Sequence, residues 1–286
     1  MKYKTFRQLI PLLFVACLLS GCISSKGIES DSINFSGADF IPEEFTWKPA
    51  APAIEYFYFE NPEIPLVYHV VKVDLSNPLL EIICYPDGST KNANDNTFTG
   101  MTTSAFAKKY DSALSINASP FQGRLLKKKI VGIHLTDGKL ISKANPKYSA
   151  IAFTKKDGYQ AQIIEKQSDQ LPAGTSFAFG GFFTVLKDGQ VLYSFADIYD
   201  TRSGAGLSQD GKTLYLLVVE GENHSRSIGL TYPKCGEIFK ALGCSDALEL
   251  DGGGSTNLCI NGKSVLNYRP HRIVANSFGF KIKEER

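Results

Sequence analysis

The sequence predicts an α+β fold in which a mixed, mostly antiparallel β-sheet core carries a few flanking helices. β-Branched and aromatic runs at residues 67–75 and 79–85 are bounded by Asn-Pro and Pro-Asp-Gly, which are turn signals. Short apolar runs also flank Asp-Gly or Asn-Gly pairs, whose residues readily adopt the positive φ angles of hairpin turns. These pairs begin at Asp137, Asp157, Asp188, Asp210 and Asn261.

Two short helices are predicted within this β-rich chain. The first covers residues 102–110. The second covers residues 231–242, because Thr231 can cap it, Pro233 suits its first turn and Gly243 can end it. A strand at 214–219 precedes this helix and another at 247–250 follows it, an order typical of a crossover unit.

The N-terminus has the organisation of an export signal. Lys2, Lys4 and Arg7 precede an apolar stretch at 9–19 that is too short to cross a membrane. The stretch ends in Leu-Ser-Gly-Cys at Cys22, which resembles the lipobox of bacterial lipoproteins, whose cysteine thiol takes diacylglycerol. A plain secretory signal or an uncleaved anchor is the alternative. The lipoprotein interpretation predicts a bacterial cell-envelope protein that is lipid-anchored outside the cytoplasmic membrane.

This interpretation divides the chain into three parts. Residues 1–21 are the signal peptide, residues 22–48 are a tether rich in small and polar residues, and residues 49–286 are one domain. That domain is long enough to bury a sizeable core.

The amino-acid composition argues against several classes of protein. Hydrophobic residues make up 43% of the chain and charged residues 21%, which excludes wholesale disorder. Without the three N-terminal bases, 28 basic and 29 acidic side chains leave a net charge of −1, which does not favour a nucleic-acid partner. The cysteines lack the paired spacing of a zinc site, so neither a metal nor another cofactor is predicted.

Residues 248–255, Leu-Glu-Leu-Asp-Gly-Gly-Gly-Ser, are the strongest functional signal. Side chains alternate along a strand, so Glu249 and Asp251 should face away from Leu248 and Leu250. The three glycines let the backbone approach a ligand closely and leave amides free to bind an oxyanion or a phosphate. A glycine-rich hairpin with a capping aspartate is the alternative.

A second carboxylate, Glu220, follows the apolar strand at 214–219. If the two strands are neighbours, Glu220, Glu249 and Asp251 gather at one sheet edge. Crowded carboxylates separate one another's pKa values and so provide a proton donor beside an ionised base or nucleophile. The alternative is that Glu220 merely faces solvent.

Several segments occur in the order found in the phosphodiester glycosidase family, which the chain resembles from about residue 115 to 281. They are Arg-Ser-Gly-Ala-Gly at 202–206, Glu-Gly at 220–221, Ser-Ile-Gly-Leu-Thr at 227–231, Asp-Gly-Gly-Gly-Ser at 251–255 and Arg-Ile-Val-Ala-Asn at 272–276. The family motif Asn-Gly-x-Phe-Phe has its counterpart at 117–121, where Ala118 and Pro120 depart from it. Glu249 stands where relatives often carry asparagine.

The resemblance implies hydrolysis of a glycosidic bond to a phosphate, with roles for particular residues. It makes Asp251 the base or nucleophile, Glu220 its partner acid or base, and Arg202 a cation that meets the charge developing on the phosphate. Together with the positions of His224 and Glu249 beside these segments, it predicts that the residues in contact with substrate are Asn117, Gly252, Gly253, Gly254, Ser255, Arg272, Glu249, His224 and Ser227.

We therefore predict a glycoside hydrolase-like enzyme that cleaves a sugar phosphodiester or a cell-envelope glycan linkage. Its partners would be a carbohydrate or sugar-phosphate substrate and, through the lipid anchor, the membrane. A non-catalytic glycan-binding envelope lipoprotein that retains the pocket is the alternative.

Overall fold

The computed structural model describes residues 28–29, 35–61, 63–90, 97–193 and 198–284. The predicted signal peptide and Cys22 lie outside the described residues. Within these ranges, no helix has both the length and the apolar character that a membrane span requires.

The chain folds mainly into short strands. The strands are β1 (Ile28–Glu29), β2 (Lys48–Ala51), β3 (Ile54–Asn61), β4 (Leu66–Asp74), β5 (Leu80–Tyr85), β6 (Thr97–Thr99), β7 (Leu114–Asn117), β8 (Phe121–Gln122), β9 (Lys127–Ile130), β10 (His134–Thr136), β11 (Lys139–Ser142), β12 (Ala150–Lys156), β13 (Gly158–Ile164), β14 (Thr175–Gly180), β15 (Thr184–Lys187), β16 (Gln190–Val191), β17 (Ile198–Tyr199), β18 (Arg202–Leu207), β19 (Thr213–Val219), β20 (Asp246–Glu249), β21 (Leu258–Ile260), β22 (Lys263–Ser264) and β23 (Ser277–Ile282). The helices are α1 (Gly37–Phe40), α2 (Thr103–Lys109) and α3 (Tyr232–Ala241), and a 3-10 turn covers Gly253–Ser255.

These strands form one large sheet and several smaller ones. The large sheet has the order β16-β15-β20-β18-β19-β4-β3-β2. Two five-stranded sheets have the orders β11-β10-β14-β12-β13 and β22-β21-β7-β23-β5, and smaller sheets join β6-β9-β8 and β1-β17. All strand pairs among the described residues are antiparallel.

The predicted α+β class with a mixed sheet is therefore wrong, and the protein is mainly antiparallel β. Strands account for 44% of the structure and helices for 10%. The physical reason is the prevalence of tight turns, because two strands joined by a short hairpin must run in opposite directions. All five predicted Asp-Gly or Asn-Gly pairs lie at such turns, between β10 and β11, β12 and β13, β15 and β16, β18 and β19, and β21 and β22.

Both predicted helices are confirmed, together with the cap of each. The Thr102 hydroxyl accepts a hydrogen bond from the amide of Ala105 and so begins α2. The Thr231 hydroxyl does the same for the amide of Lys234 at the start of α3. Each cap satisfies an amide that a helix start otherwise leaves without a partner.

The large sheet is buried on both faces. Along β19, Leu214, Leu216 and Val218 face the main core, which also receives side chains from both five-stranded sheets. The intervening Leu217 and Val219 face a second core, which is covered by α3 and by residues 35–47. Because a strand turns successive side chains to opposite faces, one apolar run supplies both cores.

The same sheet brings three strand ends to one edge. Both β19 and β20 pair antiparallel with β18, which lies between them. The two outer strands therefore run in the same direction, connected by α3, and both end at the edge where β18 begins. Residues after Val219, residues after Glu249 and residues around Arg202 consequently lie along this edge.

Candidate active site

A cavity of about 290 Å³ opens where β20 ends and β18 begins. We place the site here rather than in a larger cleft of about 710 Å³ beside Ala113, because two carboxylates, two guanidinium groups and a glycine turn converge in the smaller cavity. Its lining residues are Pro120, Phe121, Phe182, Asp200, Arg202, Tyr232, Asp251, Gly252, Gly253, Gly254, Ser255 and Arg272.

Asp251 lies two residues beyond the end of β20 and lines the cavity. Its amide donates to Ala118 O at 2.8 Å, which fixes the backbone against the loop after β7. Burial raises the pKa of the Asp251 carboxyl to about 7, against the lowering effects of a hydrogen bond from the Ser255 hydroxyl and the charge of Arg272. A carboxyl with a pKa near neutrality can exchange protons readily with a bound substrate or water.

The three glycines turn the chain sharply beside Asp251. Gly253 has a φ of 55°, a conformation that glycine adopts without steric cost, and its amide donates to Thr201 O at 2.8 Å. A Cβ at Gly252 would lie only 2.9 Å from the same carbonyl oxygen. The amides of Gly252 and Gly254 have no acceptor among the described residues, so two of the three predicted anion-binding amides remain available.

Two guanidinium groups line the cavity, and the structure holds them differently. Arg202 is 7% exposed and donates from Nε to Leu230 O at 2.8 Å and from Nη2 to Ile198 O at 2.5 Å. Its guanidinium lies 4.2 Å from the ring centroid of Tyr232. Arg272 forms no hydrogen bond or ion pair with another described residue, and a Cβ at Gly254 would lie 3.0 Å from its Nε.

Asp200 supplies a second carboxylate to the cavity, and the sequence reasoning missed it. Its Oδ1 accepts from the Thr201 amide at 2.7 Å, and its Oδ2 lies 3.8 Å from where a Cβ of Gly253 would stand. The available signal was its position two residues before Arg202. In an antiparallel arrangement, a residue that precedes one strand lies beside residues that follow its neighbour.

Aromatic rings form part of the cavity wall. Phe121, Phe182 and Tyr232 line it, and Phe182 packs edge-on against Tyr148 with ring centroids 5.2 Å apart. Such rings can pack against the apolar face of a sugar. Phe177 and Phe179, which precede the Gly180-Gly181 pair, belong to the main core instead.

Asn117 lies beneath the cavity and does not line it. Its Nδ2 donates to Asp251 O at 2.5 Å. Its Oδ1 accepts from the Ser203 hydroxyl at 3.0 Å and from the Asn257 amide at 3.0 Å. The side chain is fully buried, so in this structure Asn117 fixes the backbone of the Asp251 loop.

Glu220 is not among the residues that line the cavity. It is 2% exposed, and its Oε1 lies 3.0 Å from His69 Nε2 and accepts from the Asn267 amide at 3.0 Å. Burial alone would raise the pKa of Glu220, but these hydrogen bonds and the charge of Arg226 outweigh burial and lower it. The Ser227 hydroxyl donates to the Glu220 carbonyl at 2.5 Å, so it holds the backbone and does not line the cavity.

Glu249 is fully buried and lies behind Arg202, outside the cavity lining. Neither carboxylate oxygen accepts a hydrogen bond from an N–H or O–H group of a described residue. Burial raises its pKa to about 8, although the Arg202 charge and the nearby Cys235 thiol lower it in part. His224 is exposed in the loop after β19 and does not line the cavity either.

Known proteins resemble this chain in sequence and in fold. The family model for the phosphodiester glycosidases matches residues 110–281, which is more than half of the chain. Among curated proteins, the SPbeta prophage-derived protein YomE of Bacillus subtilis (strain 168) is 29% identical over 187 residues. That match covers 58% of this chain and 27% of the relative, so the chain spans about a quarter of the length of YomE.

Two solved structures share the fold. The zebrafish N-acetylglucosamine-1-phosphodiester alpha-N-acetylglucosaminidase catalytic domain, auto-inhibited by its pro-peptide, aligns with a TM-score of 0.63 at 18% identity, covering 85% of this chain and 88% of that one. A hypothetical protein from Synechocystis aligns with a TM-score of 0.62 at 15% identity, covering 85% of this chain and 64% of that one.

Proposed function

Because the chain belongs to the phosphodiester glycosidase family, we propose that it hydrolyses the glycosidic bond between a sugar and a phosphate. The observation that carries the proposal is the convergence of Asp251, a glycine turn with available amides and two arginines in one cavity. These groups match the charges that such a reaction develops, which are negative on the phosphate and positive on the sugar.

The phosphate would bind between the arginines and the glycine turn. Arg272 has its guanidinium available beside Gly254, and Arg202 adds a second positive charge that its partners hold in place. As the sugar–oxygen bond breaks, the electron pair passes to the phosphate oxygen. Fixed cations and amides stabilise that charge without having to reorganise, so the leaving group needs little protonation.

Asp251 would act at the sugar as the general base that takes a proton from the attacking water. Its raised pKa suits this role. A base with a pKa near the working pH is ionised in a useful fraction of molecules and still has a high affinity for the proton. The Ser255 hydroxyl bonds to the same carboxyl and would hold its orientation.

We assign the partner carboxylate to Asp200, because it lines the same cavity as Asp251. Glu220, which the sequence suggested for this role, has its carboxylate engaged by His69 and the Asn267 amide. In this proposal Glu220 supports the edge of the large sheet, and Asp200 faces the positive charge that develops on the sugar ring.

We also propose that the enzyme acts outside the cytoplasmic membrane of a bacterium, lipid-anchored through Cys22. Support comes from the sequence: the basic start, the apolar stretch at 9–19 and the Leu-Ser-Gly-Cys segment before the cleavage position. Mass spectrometry of the mature chain, expressed in a bacterium with lipoprotein processing, would test this; an intact residue 1 or an unmodified Cys22 would contradict it.

The catalytic proposal is tested with the full chain and a panel of aryl and sugar-1-phosphodiesters. Asp251→Asn should lower kcat by about 10²- to 10⁴-fold, because it removes the base while keeping the shape of the side chain. Asp246→Asn is the matched control, since Asp246 begins the same strand at the opposite end and pairs with Lys187; it should retain turnover.

The same panel separates catalysis from binding. Turnover by the natural chain that Asp251→Asn abolishes supports the enzyme. Ligand binding without turnover across the whole panel would instead support the non-catalytic glycan-binding lipoprotein.

A further inference from the structure

The tip of the β8–β9 hairpin, residues 123–127, exposes apolar side chains. Leu125 is 87% exposed and Leu126 is 53% exposed, and both stand among the most exposed large apolar side chains of the described structure. Together with Thr97 and Lys129, these tip residues line a largely apolar groove of about 530 Å³. Two adjacent leucines in water are unfavourable, so folding alone gives no reason for them.

Hydrogen bonds fix the backbone of the tip, although one of its residues is strained. Gly123 has a φ of 115°, and a Cβ there would lie 2.2 Å from Lys127 O, so the turn requires glycine. Leu125 has a φ of 48°, a conformation that costs a leucine energy. Leu126 O accepts from the Gly100 amide at 2.6 Å, and the Lys127 amide donates to Arg124 O at 3.1 Å. The fold therefore holds the two leucines outward.

Basic residues lie next to the leucines along the hairpin. Arg124, Lys127, Lys128 and Lys129 all fall within the hairpin, and no aspartate or glutamate occurs from residue 112 to residue 136. Lys127 and Lys129 are exposed. The tip thus combines a small apolar surface with a local excess of positive charge, whereas the chain as a whole is nearly neutral.

We propose that this tip inserts into the interface of an anionic lipid bilayer. The leucines would enter the boundary between head groups and acyl chains, to a depth of about 5–10 Å. Lys127 and Lys129 would meet the lipid phosphates, since cations near an anionic surface are attracted over about a Debye length. Binding to an uncharged protein surface would account for the exposed leucines, but it would give the positive charges of Lys127 and Lys129 no role.

The hairpin connects this contact to the candidate active site. Phe121, in β8, lines the cavity, and the Lys128 ammonium lies 4.9 Å from the centroid of its ring. Docking of the tip would therefore hold the cavity close to the membrane surface. The proposed contact does not depend on the proposed hydrolysis, because it rests on residues outside the reacting groups.

A tryptophan placed at the tip reports insertion directly. The full chain carrying Leu125→Trp is mixed with phosphatidylglycerol–phosphatidylcholine vesicles in which part of the lipid is brominated. Expected results are a blue shift and quenching of the added fluorescence, relative to the natural chain with its single Trp47. The control is Tyr193→Trp, since Tyr193 is 66% exposed but lies beside Glu237; its tryptophan should remain unquenched. Because the signal is local, attachment through the N-terminus does not mimic it.

Charge variants and a search for self-association complete the test. Lys127→Gln combined with Lys129→Gln should weaken tip insertion by about tenfold or more, and added salt should do the same. Absence of quenching at position 125 on vesicles that carry the bound chain would overturn the proposal. A blue shift that needs no vesicles and grows with protein concentration would also overturn it, because the tip would then contact a second copy. Hydrolysis of soluble phosphodiesters should be unchanged by Leu125→Trp, which separates this proposal from the catalytic one.

Discussion

The Glu249 carboxyl group is fully buried, and no N–H or O–H group of the described residues donates a hydrogen bond to its oxygens. Its folded pKa of about 8 lies above the ordinary value of 4.5. The folded state therefore binds more protons than the unfolded state between these two values, so the free energy of unfolding falls as the pH rises through this window.

Glu249→Gln should remove that fall. Below pH 4.5 the variant and the natural chain should have similar stability, while above pH 8 the variant should be more stable by up to about 5 kcal/mol, since each unit of pKa displacement corresponds to about 1.4 kcal/mol. Urea unfolding between pH 4 and pH 9 measures this. Glu81→Gln, at an exposed position, should leave the slope unchanged. A parallel pair of curves for Glu249→Gln and the natural chain would show that the buried carboxyl does not titrate in this range.

The two candidate partner carboxylates predict different kinetics. Asp200→Asn should lower kcat by about 10²-fold or more, because it alters a group that lines the cavity. Glu220→Gln should lower kcat less than Asp200→Asn does. It should mainly lower the free energy of unfolding, because it removes a buried charge that His69 and Arg226 stabilise. Steady-state kinetics and urea unfolding of both variants provide the comparison, and the reverse ranking of kcat would return the role to Glu220.

Much of the candidate site could be predicted from the sequence, and the parts that could not be predicted have local causes. Asp251, the glycines and both arginines were identified because a strand followed by three glycines is unusual and the family motifs surround it. The alternation rule placed Glu249 and Asp251 together, yet β20 ends at Glu249 and the chain turns before Asp251. Asp200 lies two residues before β18, and only the pairing of β18 with β20, which the sequence analysis does not predict, brings it beside Asp251.

At the scale of elements, the close packing of β23 on β7 depends on a missing side chain. A Cβ at Gly279 would lie 2.0 Å from Leu114 O. Gly279→Ala should therefore force the two strands apart and lower the free energy of unfolding by about 1–3 kcal/mol. Gly88→Ala is the control, since a Cβ there would have no atom within 4 Å. Chemical denaturation measures both, and equal stability of the two variants would contradict the observed strand spacing.

Turns were the most predictable elements, because their chemistry is local. Asp137, Asp188 and Asn261 each have a φ of 48°, as the Asp-Gly and Asn-Gly pairs required. Sheet membership is set by contacts distant in sequence, and no local pattern revealed that β7 would pair with β21 and β23. The predicted fold class is wrong for a related reason: a strand–helix–strand order makes a mixed sheet only if the two strands pair directly, whereas β18 inserts between β19 and β20.

At the scale of the molecule, four thiols within the described ranges report on the integrity of the cores. Cys84, Cys235, Cys244 and Cys259 are buried and free, and burial raises the pKa of Cys84 to about 12. Because the thiolate is the reactive form, none of the four should react with iodoacetamide at pH 7.5 while the protein is folded. Mass spectrometry after timed alkylation checks this, with the exposed substitution Ser225→Cys as a positive control. Rapid labelling of any of the four in native buffer would mean that its core opens locally.

The three hydrogen bonds of Asn117 tie the carbonyl of Asp251 to two different sheets through one amide group. These bonds hold the Asp251 loop to both sheets, so separation of the sheets would release the loop. Heating should therefore abolish the proposed hydrolysis and the tertiary structure at the same midpoint temperature. The activity that remains after heating would then measure the fraction of molecules that are still folded.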